Sequence, residues 1–176
     1  MIRKMALTLA LLTGAPCFFH STTAVASAPV QVAFSPGNAE SVIVDVIGGA
    51  HRSILMAAYS FTSRPIAQAL LEAQKRGVQV YVVGDAEQAG KSYSSFTFLA
   101  NHKINVRLNA DFQSMHNKFM VIDNALVQTG SFNYTAAATK KNAENIVVID
   151  DRQTAQKFGA YWKALYNTSS PLLPRY

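Results

Sequence analysis

Four side chains that could act on a phosphoryl group are clustered in the segment HNKFMVIDNALVQTGSFN, which spans residues 116–133. They are His116, Lys118, Ser131 and Asn133. Imidazole can act as a nucleophile, and ammonium, hydroxyl and amide groups can donate hydrogen bonds to phosphoryl oxygens. The segment therefore indicates attack on a phosphodiester, with the histidine as nucleophile and the other three side chains binding the phosphate.

No set of Asp, Glu, His or Cys residues at metal-ligand spacing accompanies this segment. The four side chains already supply a nucleophile and donors for the equatorial oxygens. The sequence therefore predicts a site that uses neither a metal nor another cofactor.

The segment also predicts a hairpin, because short apolar runs flank the polar pair at 123–124. Residues two apart in a strand share a face, which places His116 and Lys118 side by side, about 6.6 Å apart. If 123 and 124 are the only loop residues, Thr129 lies opposite Lys118 and Ser131 lies opposite His116. An imidazole, an ammonium and a hydroxyl then converge on one patch.

The spacing HxK, four residues, D, six residues, GS, x, N resembles the HKD signature of the phospholipase D superfamily. The resemblance implies catalytic roles for His116, Lys118 and Asp123. Asp123 falls on the other face or in the turn, where a hydrogen bond that supports the fold suits it better than substrate contact. The segment NAENIVV at 142–148 also resembles the family. It implies that Glu144 receives the Nδ1 proton of His116, which leaves Nε2 free to attack.

Within the superfamily, the chain is most similar to the small secreted bacterial endonucleases, which implies a sequence-nonspecific enzyme that hydrolyses DNA, with RNA as an additional candidate, through a phosphohistidine. A phospholipase D acting on phospholipid head groups would use the same chemistry. An inactive module that binds nucleic acid or lipid is a third interpretation, and the intact motif argues against it.

The chain contains one copy of the motif, and this predicts its assembly. One histidine cannot be the nucleophile and the separate general acid in the same step. A homodimer whose two-fold axis passes through one shared active site supplies both histidines.

The first 26 residues predict a signal peptide. Arg3 and Lys4 form a basic start, and residues 5–12 form an apolar core. Small residues allow cleavage after Ala26 or after Ala28, and Ala26 is favoured because Pro29 would adjoin the second site. The apolar stretch is too short for a stable transmembrane anchor, so we expect a periplasmic or secreted protein. Of 16 basic and 10 acidic residues, cleavage leaves 14 and 10, a net charge of +4. This moderate excess is compatible with a polyanionic substrate.

The remaining chain predicts one α/β domain over residues 27–170, followed by a loose tail at 171–176. Strands and helices alternate, which predicts a mixed, largely parallel central sheet with helices on both faces. Of the aromatic residues after the strands, Tyr59 and Phe61 are expected in the core, and Tyr134 is a candidate for the cleft. Predicted strands cover 30–34, 53–61, 78–83, 104–108 and 146–149. Predicted helices cover 38–48, 63–76 and 151–166, and a short helix that begins at Ser92 or Ser94 ends at Asn101.

Overall fold

The computed structural model describes residues 28–91 and 93–175, so the predicted signal peptide at 1–26 lies outside the described residues. The described chain forms one mixed sheet with the strand order β1-β7-β6-β5-β2-β3-β4-β8. The strands are β1 (Val30–Ser35), β2 (Ser53–Ala58), β3 (Gln79–Asp85), β4 (Asn105–Asn109), β5 (Lys118–Ile122), β6 (Leu126–Gly130), β7 (Glu144–Asp150) and β8 (Ser170–Pro171). The helices are α1 (Ala39–Gly48), α2 (Arg64–Lys75), α3 (Ala86–Ala89), α4 (Ser95–Asn101), α5 (Ala136–Lys140) and α6 (Arg152–Thr168).

Side-chain caps explain where helices α2 and α6 begin. The Ser63 side chain caps α2 by accepting a hydrogen bond from the amide of Ile66, and proline occupies the first turn. Asp151 caps α6 in the same way by accepting from the amide of Thr154 at 2.6 Å. Both helix starts were therefore predictable from the capping residues.

The sheet is mixed and carries helices on both faces, which confirms the predicted fold class. Among the strands of the described residues, only β2-β3 and β3-β4 are parallel neighbours, and the other five strand pairings are antiparallel. The expected parallel character is thus limited to β2-β3-β4, although five of the eight strands run in one direction. Parallel neighbours need long crossovers, which α2 and the α3-α4 segment provide, whereas β5 and β6 are joined by a short turn.

The two faces of the sheet are covered to different extents. Helices α1, α2 and α4 pack on one face, and α6 packs on the other. The Trp162 indole of α6 donates to the Met56 carbonyl at 2.8 Å and fixes the helix over the centre of the sheet. On the edge strand β1, Val30, Val32 and Phe34 are 58%, 51% and 60% exposed. These three side chains form an exposed apolar stripe.

The structure corrects the prediction of a loose tail. Pro171 pairs with Arg107 of β4, and the Leu172 amide donates to the Val106 carbonyl at 2.9 Å. The short helices α3 and α5 were also not predicted, because four or five residues are too few for a hydrophobic period to be visible. Within residues 28–91 and 93–175, no helix is long and apolar enough to cross a bilayer.

Candidate active site

His116 and Lys118 are in direct contact, as the sequence predicted. His116 is an exposed residue near the end of the loop between β4 and β5, and Lys118 is the first residue of β5. The Lys118 ammonium lies 2.9 Å from His116 Nδ1 and 3.1 Å from Nε2, and it donates to the His116 carbonyl at 2.9 Å. The ammonium therefore lies within hydrogen-bond distance of both the ring and the backbone carbonyl of the same histidine.

The loop that carries His116 is held by hydrogen bonds on both sides of it. Before it, the amide of Met115 donates to the carboxylate of Asp85 at 2.9 Å, and Asp85 is only 2% exposed. After it, the carbonyl of Asn117 accepts from the amide of Tyr59 at 2.9 Å, and its side-chain amide donates to the Tyr161 hydroxyl at 3.3 Å. The histidine backbone is therefore fixed although its side chain is exposed.

Ser131 and Glu144 form the second part of the site. The Ser131 hydroxyl donates to Glu144 Oε2 at 2.5 Å and accepts from the Asn145 amide at 3.1 Å. The other carboxylate oxygen of Glu144 accepts from the Asn142 side chain at 2.9 Å. These bonds hold the hydroxyl and the carboxylate side by side at the start of β7.

The glycine of the motif, Gly130, lies where β7 approaches the chain closely. It has a φ of +151°, and a Cβ on it would clash with the Asn145 carbonyl oxygen and lie 2.8 Å from the Ile146 Cα. Only a residue without a side chain allows β7 to approach so closely. The Ser131–Glu144 contact depends on this approach.

The charge of Glu144 acts on Lys118. Burial lowers the pKa of Lys118, the Glu144 carboxylate raises it, and the net result is a pKa below the ordinary value of 10.5. The two parts of the site, the His116–Lys118 pair and the Ser131–Glu144 pair, are thus electrostatically connected.

The predicted hydrogen bond from His116 Nδ1 to Glu144, which would fix the tautomer of the ring, stays a prediction. In this structure the side-chain hydrogen bonds of Glu144 go to Ser131 and Asn142. Asn133 lies beyond Ser131, and its side-chain oxygen is buried without a partner among the described residues. Its role in phosphate binding also stays a prediction.

The predicted register of the hairpin was wrong by one residue. Ile122 pairs with Leu126, and Thr129 lies opposite Phe119, not Lys118. The loop contains three residues, because Ala125 follows Asp123 and Asn124 in the turn. The Thr129 hydroxyl still donates to the Lys118 carbonyl at 3.2 Å.

Asp123 lies at the opposite end of β5 from Lys118, away from the catalytic pair. Its carboxylate accepts from the backbone amides of His51, Arg52 and Ser53 at 2.9, 2.7 and 2.8 Å. Partial burial raises the pKa of Asp123, but these three amides lower it more, and the pKa lies below 3.8. This position does not fit the catalytic role that the motif implied for Asp123. It fits the expected role of Asp123 in supporting the fold.

Sequence reasoning placed two tyrosines incorrectly. Tyr59, expected in the core, is only half-buried, and its ring centroid lies 4.5 Å from that of His116. Tyr134, a candidate for the cleft, is fully buried, and its hydroxyl donates to the Gln128 side chain at 2.8 Å. Phe61 is buried as predicted and packs edge-on against Tyr134. One signal could have identified Tyr59: it follows the carboxyl end of a parallel strand, where α/β sheets place their sites.

At one end of strands β5, β6 and β7, an imidazole contacts an ammonium beside a serine–carboxylate pair. This combination in a mixed α/β sheet defines a phosphodiester hydrolase. The comparisons with known proteins agree. A family model described as cardiolipin synthase, PLD-like domain, matches residues 43–166. The chain belongs to the phospholipase D superfamily.

Two relatives and two solved structures illustrate the similarity. The chain is 34% identical over 160 residues to a phospholipase D of Rickettsia prowazekii, covering 90% of this chain and 78% of that protein. It is 34% identical over 122 residues to the mitochondrial cardiolipin hydrolase of Xenopus tropicalis, covering 69% and 58%. Nuc, a phospholipase D family member from Salmonella typhimurium, superposes with a TM-score of 0.81 at 38% identity, covering 84% of this chain and 99% of Nuc. NucT from Helicobacter pylori gives 0.75 at 25% identity, covering 83% and 100%.

Proposed function

We propose that this phosphodiesterase is a sequence-nonspecific endonuclease that hydrolyses DNA, with RNA as an additional candidate. The observation that carries the proposal is the contact between His116, which is exposed, and Lys118 at the amino-terminal end of β5. An exposed catalytic pair at a strand end can reach a phosphodiester in the middle of a long polymer. The size of the solved relatives adds support, since the chain covers 99% of Nuc and 100% of NucT.

The reaction proceeds in two displacements. In the first, a ring nitrogen of His116 forms a bond to phosphorus while the bond to the leaving oxygen breaks, and that oxygen takes a proton from a second group. In the second, water attacks phosphorus, the phosphorus–nitrogen bond breaks, and the second group takes back a proton. The products are a phosphomonoester and an alcohol, and the free histidine is restored. Lys118 donates to the phosphoryl oxygens in both steps.

The second group is His116 of the partner subunit in a homodimer with one shared site. The described chain has one motif histidine, and the exposed apolar stripe of β1 adds support. Strand β1 pairs with β7, which begins at Glu144, and Phe34 lies opposite Asn145, so the Phe34 end of the stripe borders the site. Apolar area of this kind on a sheet edge is typical of a surface that is covered in the assembled protein.

A groove of about 390 Å³ on the carboxyl side of β2 and β3 supports a nucleic acid substrate. Its lining includes Arg64 and two exposed aromatic residues, Tyr93 at 67% and Phe98 at 38%. Aromatic rings stack on unpaired bases of any sequence, and arginine binds phosphate. These groups suit a polymer strand that continues beyond the cleaved bond.

A phospholipase D that hydrolyses phospholipid head groups is the second candidate. The observation that favours it is the identity of 34–39% to Rickettsia proteins named phospholipase D. An inactive module that binds nucleic acid or lipid is the third, and the intact catalytic pair argues against it.

One experiment separates the candidates. The purified protein, in excess EDTA, is incubated with plasmid DNA in one reaction and with phosphatidylcholine vesicles in another, and His116→Ala is the control. We expect DNA to be cut at many positions, no choline to be released, and the variant to be inactive. Release of choline without cutting of DNA would establish the phospholipase instead. Activity that appears only after Mg²⁺ is added would contradict the metal-independent mechanism.

We also propose that the protein is exported after cleavage of residues 1–26. Intact-mass measurement of protein from the periplasm or medium should give a chain that begins at Ser27. Recovery of the full-length chain in the cytoplasm would contradict export.

A further inference from the structure

The ring of Tyr59 packs against the catalytic pair. Its centroid lies 4.5 Å from that of the His116 imidazole, with an angle of 58° between the planes. The Lys118 ammonium lies 5.3 Å from the same centroid, over the ring. We propose that Tyr59 is a positioning residue whose ring holds the His116 imidazole in the orientation required for attack. The inference rests on the proposed role of His116 as nucleophile.

Tyr59 is itself fixed at both ends. Its amide donates to the Asn117 carbonyl at 2.9 Å, and its hydroxyl accepts from the Gln88 side chain at 3.1 Å. Gln88 lies on α3, where its amide donates to the Asp85 carboxylate at 2.9 Å, and the same carboxylate accepts from the Met115 amide. One buried carboxylate therefore connects the helix that holds the tyrosine to the residue that precedes the motif histidine. One network of hydrogen bonds therefore positions both the ring of Tyr59 and the backbone that leads to His116.

An exposed histidine needs such a contact. Nucleophilic attack requires a ring nitrogen in line with phosphorus, and an imidazole that turns freely spends little time there. Glu144 does not fix the ring in this structure, because its hydrogen bonds go to Ser131 and Asn142. The Tyr59 ring is the aromatic surface that contacts the imidazole. An aromatic face also attracts cations, and the same ring contacts the Lys118 ammonium.

Tyr59 acts through His116 and not on the reacting atoms, so a test must separate positioning from general stability. Tyr81 provides a matched control. It is also half-buried, and it packs edge-on against Trp162 and Tyr166 at 6.2 and 6.1 Å, within the α6 cluster. Replacing Tyr81 by leucine removes a comparable ring away from the catalytic pair.

The experiment compares kcat and KM of the full chain for bis(p-nitrophenyl) phosphate, a substrate too small to use distant binding surfaces. Tyr59→Leu should lower kcat about 10- to 100-fold with KM nearly unchanged. Tyr59→Phe keeps the ring and loses only the Gln88 hydrogen bond, so its loss should be under about tenfold. Tyr81→Leu should lower the unfolding temperature without a comparable change in kcat.

A second measurement does not depend on activity. A ring 4.5 Å away shifts the proton resonances of the His116 imidazole. We expect these shifts to be lost in Tyr59→Leu and retained in Tyr59→Phe and Tyr81→Leu. An inactive His116→Ala together with a fully active Tyr59→Leu would overturn the positioning role alone. An active His116→Ala would instead overturn the proposed nucleophile.

Discussion

Asp123 and His116 belong to the same motif, and the structure predicts opposite consequences when they are replaced. Asp123→Ala removes the acceptor for three backbone amides. A lost acceptor for buried donors costs about 1–3 kcal/mol. The amides of His51 and Arg52 belong to exposed residues and can bind water, so the cost should lie near about 1–2 kcal/mol. At temperatures well below unfolding, activity should be nearly unchanged.

Asn124 provides the control for this experiment. Asp123 and Asn124 both have a φ of +54°, which alanine adopts at a cost of about 1–2 kcal/mol. Asn124→Ala therefore has the same backbone cost but keeps the carboxylate of Asp123. Asp123→Ala should unfold at a temperature about 2–8 °C below Asn124→Ala, since 1 kcal/mol corresponds to about 2–4 °C for a domain of this size. Thermal unfolding followed by circular dichroism measures the difference.

The pH dependence gives an independent check on Asp123. Its pKa in the folded protein lies below the ordinary value of 3.8. The stabilisation is therefore complete well above pH 3.8 and is lost as the pH falls through the lower, folded-state pKa. The wild-type protein should lose its stability advantage over Asp123→Asn in this acid range. If Asp123→Ala is folded but loses activity as severely as His116→Ala, Asp123 takes part in the chemistry and our reasoning is wrong.

Three further predictions follow from other features. Gly130→Ala should destabilise the protein by about 2–5 kcal/mol because of the contact with β7, whereas Gly159→Ala, which meets nothing closer than 3.9 Å, should not destabilise it in urea unfolding. Equal co-expression of wild-type and His116→Ala chains should leave about one quarter of the activity per dimer, and one half would refute the shared site. Replacing Tyr93 and Phe98 by alanine should raise KM for DNA about tenfold or more without changing hydrolysis of bis(p-nitrophenyl) phosphate. An equal effect on both substrates would contradict base stacking.

The contacts that sequence reasoning found are local ones. His116 and Lys118 are two residues apart, so their proximity follows from the chain itself. The hairpin was also local, but a polar pair does not reveal how many residues the turn contains, and the third residue, Ala125, shifted the register by one.

The contacts that sequence reasoning missed join segments that are distant from each other in the chain. Tyr59 meets the motif because β2 pairs antiparallel with β5, which places Ala58 opposite Lys118. The residue pattern within β2 gives no information about its pairing with β5. The apolar run that predicted a buried strand also predicted that Tyr59 is buried. The pairing of Pro171 with Arg107 was hidden for the same reason.

The pairing of β1 with β7 determines the order in which the sheet can be completed. Val30 lies opposite Ile149, so the first strand of the fold pairs with residues more than a hundred positions later in the chain. The parallel β2-β3-β4 unit joins strands that follow one another and can form early, because closing short loops costs less entropy than closing long ones. During synthesis, β1 therefore has no partner strand until almost the whole chain has been made. The N-terminal end of the domain remains unpaired until that moment, so the β1 edge of the sheet, where Ser35 lies opposite Glu144, is completed only after β7 has been made.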